Sequence, residues 1–94
     1  MATYILQGRY TPDAVKSITA GRTDKARALI QKQGGKLHAM YALLGEHDLL
    51  LIADLPDTAS ALKTSLGLAK LTGIGFTTSP ALDIADFDKL AAGA

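Results

Sequence analysis

Cysteine is absent from the 94 residues. Disulfide bridges, thiolate nucleophiles and zinc–thiolate sites are therefore excluded. Tryptophan is missing too, and two phenylalanines and three tyrosines are too few for the aromatic platform on which RNA-binding sheets stack bases. Neither sign of charge dominates. Ten Lys and Arg against nine Asp and Glu leave a net +1, which gives no electrostatic reason to expect nucleic acid or an anionic membrane as partner. Apolar runs such as Leu49-Leu50-Leu51-Ile52-Ala53 fall far short of the roughly 20 residues of a membrane helix. Met1-Ala2-Thr3-Tyr4-Ile5 enters a strand-like run without a basic region, so no signal peptide is expected and the location expected is cytoplasmic. No G-x-G-x-x-G or Walker pattern occurs, and the two histidines lack metal-ligand spacing, so neither cofactor nor metal is expected.

What is present is apolar. Hydrophobic residues make up 48% and charged residues 20%, a globular composition. The length fits a single domain over residues 1–94. A domain this small buries only about 60–65% of its unfolded surface, so association would add to a thin core.

The order of elements follows from periodicity and punctuation. Thr3 to Arg9 reads as a first strand, rich in β-formers. Thr11-Pro12-Asp13 spells a helix start, with a capping hydroxyl, proline at the first helical position and a carboxylate at the positive dipole end. Ala14, Val15 and Ile18 continue that helix. Gly21 interrupts it, and Thr23 recaps a segment that buries Ala26, Leu29 and Ile30 before Gly34-Gly35 ends it. Lys36 to Leu44 and Asp48 to Leu55 are strands joined by Gly45-Glu46-His47, a connection brief enough to demand an antiparallel hairpin. Pro56 stops the third strand, and Asp57 or Thr58 caps a helix whose apolar stripe is Leu62, Leu66 and Ala69. Gly73 closes it. A fourth strand spans Ile74 to Thr78 with Pro80 as breaker, and a helix from Asp83 to Leu90 carries Ile84, Phe87 and Leu90 on one side. Strand, helix, strand, strand, helix, strand is the split βαβ arrangement of the ferredoxin-like α+β fold, with a short C-terminal helix.

The hairpin argues for self-association. Strict alternation puts Leu37, Ala39, Tyr41 and Leu43 on one face and His38, Met40, Ala42 and Leu44 on the other. The next strand opposes Leu49, Leu51, Ala53 and Leu55 to Asp48, Leu50, Ile52 and Asp54. Two helices on one sheet face leave the second face wet, and each leucine-sized side chain left there forgoes about 1.5–3 kcal/mol. The alternative is that the C-terminal helix folds over that face, although a helix of about eight residues covers only part of a four-stranded sheet. The expected partner is a second copy, sheet facing sheet, in a barrel that spans two chains.

Candidate chemistry is sparse. His47 and Asp48 are adjacent, and a carboxylate that orients an imidazole makes a general base; neighbouring strand residues, however, point to opposite faces. His38, in mid-strand, could line a pocket. Arg9, beside Tyr10 at a strand end, could clamp a carboxylate or phosphate through its planar fork. Tyr41 and Thr77 are further candidates for contact with a small ligand.

These segments resemble a known family. Tyr4 to Thr11, Gly34-Gly35-Lys36-Leu37, Met40 to Asp48, Lys70-Leu71-Thr72-Gly73 and Thr77 to Leu82 together look like the GYD domain family of small bacterial and archaeal proteins. His47 stands where the signature tyrosine would be. The resemblance implies a ferredoxin-like dimeric α+β barrel and no established activity. The expected role is a homo-oligomeric small-ligand-binding or accessory domain. A cofactor-independent oxygenase or isomerase with a histidine base, or a purely structural oligomer, are the alternatives.

Overall fold

A computed structural model describes residues 1–16 and 20–94. Ile18, assigned above to the first helix, lies outside them. The elements run β1 (Ala2–Gly8), α1 (Pro12–Lys16), α2 (Arg22–Lys32), β2 (Lys36–Ala42), β3 (Leu49–Leu55), α3 (Thr58–Thr72), β4 (Phe76–Ala81) and α4 (Ile84–Gly93). The four strands form one sheet in the order β2-β3-β1-β4, antiparallel throughout. This is the expected α+β, ferredoxin-like arrangement. Among the described residues, no helix is long and apolar enough to cross a membrane.

Local chemistry accounts for most boundaries. The Thr11 hydroxyl accepts the Ala14 amide at 3.0 Å and opens α1. Asp57, with its carboxylate on the Ser60 amide at 2.8 Å, caps α3, and Gly73 ends that helix at φ +76°, a conformation glycine adopts without steric cost. Gly35 is required for another reason. A Cβ there would lie 2.4 Å from the Asp54 carbonyl oxygen, so α2 can turn back onto β3 only if this residue has no side chain.

The core lies between the sheet and α2 and α3. Tyr4 and Leu6 of β1 join Leu49, Leu51, Ala53 and Leu55 of β3, Leu37 of β2, Ala26 and Ile30 of α2, and Ala61 and Leu68 of α3. The alternation expected for β3 is met in full, since these four residues are buried while Leu50, Ile52 and Asp54 are half-buried on the other face.

Four expectations need correction. The first concerns α2, which begins at Gly21 without a side-chain cap; Thr23 lies inside the helix. Second, β4 runs on to Ala81 with Pro80 inside it, paired with Tyr4. That is tolerable because β4 is an edge strand and needs no donor on its open side. Third, α3 buries Ala61, Thr64 and Leu68, whereas Leu62 and Leu66 are 59% and 64% exposed. Close packing explains the choice: a Cβ on Gly67 would meet the Leu29 side chain at 2.9 Å, so α3 meets α2 at a glycine while Leu62 and Leu66 face outward. The fourth correction falls on β2.

Candidate functional site

The pairing of β2 with β3 shifts register between Leu37 and Ala39. Leu37 opposes Ala53, yet Ala39 opposes Ile52 and Tyr41 opposes Leu50. His38 is the extra residue of a β-bulge, a device that re-aims side chains. Strict alternation, which grouped His38 with Met40 and Ala42, therefore fails here. Leu37 remains in the core, Met40 also packs against it, and Ala39 and Tyr41 go to the face of Leu50 and Ile52.

On that open face His38, next to buried Leu37, meets Asp54. His38 Nε2 and Asp54 Oδ2 lie 2.7 Å apart, and Thr3 Oγ1 donates to Asp54 Oδ1 at 2.7 Å. One carboxylate thus joins three strands, with Thr3 on β1, Asp54 on β3 and His38 on β2. The His38 hydrogen bond, followed by that of Thr3, holds the Asp54 carboxyl below the ordinary value of 3.8. An ionised carboxylate only accepts, so Nε2 carries a proton, and in the neutral imidazole Nδ1 is then the acceptor. The side chains of His38 and Asp54 are 39% and 26% exposed, within reach of a bound molecule.

Beside this polar set lies an apolar field. Leu50 opposes Gln7, Ile52 opposes Ile5 and Asp54 opposes Thr3 across β1 and β3. Ile5, Leu50 and Ile52 are half-buried by their strand neighbours and stand outside the core cluster. Tyr41, 56% exposed, and exposed Thr77 flank them. The C-terminal helix does not cover the field, for no residue of α4 is buried.

The other candidates gather at the opposite end of the sheet. The Tyr10 amide donates to Asp48 Oδ2 at 2.8 Å, so the Asp48 carboxylate holds the end of β1 to the hairpin. His47 is half-buried in the β2–β3 connection. Arg9 Nε donates to the Glu46 carbonyl at 2.7 Å, and its guanidinium approaches the Glu46 carboxylate at 3.9 Å in an exposed pair. Arg22 donates to the Tyr10 hydroxyl, and its guanidinium lies 5.1 Å from the Tyr10 ring centroid. Asp54 and Thr3 were not among the sequence candidates. Their signal was positional: Asp54 sits after the hairpin about as far as His38 sits before it, and burial of Leu37 and Ala53 sends both to the open face. Among the described residues no three His, Asp or Glu side chains gather where a metal ion could be held.

A family model described as the GYD domain matches residues 4–91. No curated protein matches the chain. Among solved structures, the leucine response regulatory protein LrpA of Mycobacterium tuberculosis is similar in fold, with a TM-score of 0.59 at 11% identity over 87% of this chain and 51% of that one. The chain thus spans about half the length of that protein, and the likeness concerns the fold alone.

Proposed function

The chain belongs to the GYD domain family, and on that premise we propose that it is a homo-oligomeric small-ligand-binding domain whose chamber is closed by the open sheet faces of two copies. Fold alone assigns no activity, so the reading rests on the site. The observation that carries it is the pairing, on one uncovered face, of an apolar field (Ile5, Leu50, Ile52) with the Thr3–Asp54–His38 set. Binding sites combine a mostly apolar lining with a few fixed polar groups in this way. With the proton on Nε2, the free acceptor is His38 Nδ1. The ligand class that fits is a small, mainly apolar molecule bearing one hydrogen-bond donor.

A second reading is favoured by the 2.7 Å His38–Asp54 contact. The same imidazole, oriented by its carboxylate, is equipped to act as a general base in a cofactor-independent reaction. Binding precedes either use. The test is an amide NMR titration with benzyl alcohol and with toluene, which differ in the donor. Benzyl alcohol is expected to bind more tightly and to shift the amides of Ile5, Ile52 and His38, and His38→Ala to remove the preference. Equal affinity for both probes, or a preference unchanged in His38→Ala, would sink the reading.

A further inference from the structure

Helix α4 is capped, yet among the described residues none of it is buried. Asp83 accepts the Ala85 amide at 3.0 Å through its carboxylate and the Phe87 amide at 3.0 Å through its carbonyl. Ile84, Phe87 and Leu90 recur at helical spacing and are 69%, 54% and 64% exposed, and Leu82 just before them is 54% exposed. A ten-residue helix has little stability alone in water and ordinarily depends on burial of its apolar face. The arm also stretches the molecule. The Cα radius of gyration is 14.2 Å, against roughly 12.4 Å for a compact chain of this length.

A receptor of matching size lies at the root of the arm. Tyr4, Thr58, Ala61, Leu62, Thr78 and Pro80 line an apolar pocket of about 150 Å³ between the start of α3 and the sheet edge at β4. A volume of about that size with apolar walls admits benzene, so a phenyl ring fits. The Thr78 hydroxyl is already buried without a hydrogen-bond partner, and an entering ring would cost it no further hydration. Exposed Leu62 and Leu66 extend the apolar surface along α3.

We infer that α4 is an exchange arm whose Phe87 seats in the α3–β4 pocket of a second copy. Asp83 caps the helix at its junction with β4, and no residue of the helix is buried against its own body. Because the pocket wall at Pro80 is so near that junction, a two-fold axis beside it brings each arm to the other copy's pocket. Both contacts then form at once, as an isologous interface requires. A stable dimer buries roughly 800 Å² per partner, a patch that Leu62, Leu66, Leu82, Ile84, Phe87 and Leu90 with a polar rim can supply. The arm and pocket stand apart from the open sheet face, and their exchange does not depend on it.

The absence of cysteine gives a test without background thiols. Phe87→Cys and Leu62→Cys chains, both changed at exposed positions, are mixed under mild oxidation. Mixed Phe87→Cys/Leu62→Cys disulfides between two chains are expected to exceed both same-variant products several-fold, and the chain carrying both substitutions to yield covalent dimers. Statistical product ratios, no disulfide, or an intrachain disulfide in the doubly substituted chain would overturn the inference.

Discussion

At the scale of single residues, Asp54 links the fold to the site. Its carboxyl is held below the ordinary 3.8 by donors from His38 and Thr3, so the folded chain binds a proton there less readily than the unfolded chain does. The stabilisation is complete above the unfolded value and is lost as pH falls through the lower folded one. Asp54→Asn is accordingly expected to flatten the fall in stability below about pH 4, measured by urea unfolding at a series of acid pH values. An unchanged acid limb would show that the three-strand link contributes nothing. Residue identity also explains what could not be read ahead. The run from Ala39 to Leu44 has no polar alternation, so a one-residue slip in it leaves no trace in the sequence, and the faces taken by Ala39, Met40 and Tyr41 stayed hidden. Asp48 at its strand start accepts a backbone amide, that of Tyr10, as a carboxylate in such a position commonly does.

Among the elements, ends were more legible than faces. Thr11, Asp57 and Gly73 announced their roles through capping chemistry, and the structure puts each to that use. The buried face of α3 was misread because Leu62, Leu66 and Ala69 formed a regular stripe, whereas close approach to Leu29 of α2 requires Gly67. Two glycines allow conformational and steric demands to be separated. Gly73 sits at φ +76° with open space around it, so Gly73→Ala should cost about 1–2 kcal/mol from backbone strain alone. Gly35 has no room, and Gly35→Ala should cost about 1–3 kcal/mol through overpacking against Asp54 and Leu55. Thermal unfolding of the two variants checks both. A neutral Gly35→Ala would mean that α2 and β3 can part more easily than their contact implies.

For the whole molecule, apolar surface exceeds what one copy can shelter. The sheet has a helix layer on one face only, and α4 stands clear of the body. Exposed patches of this kind mark interfaces, and both readings of the molecule, the shared chamber and the exchanged arm, draw on a second copy. The expectation of pairing through the sheet came from the hairpin composition, and the bulge changes which residues lie on that face. The arm was not legible in the sequence, because helical periodicity identifies an apolar stripe without saying which chain covers it. The most direct check on the shared chamber is the molar mass of the chain by sedimentation equilibrium across the micromolar range, beside Ile52→Asp, which places a charge in the open face. The wild-type chain is expected at a multiple of 9.8 kDa and Ile52→Asp at a smaller one. A folded wild-type chain at 9.8 kDa throughout, or a mass unaltered by Ile52→Asp, would contradict it.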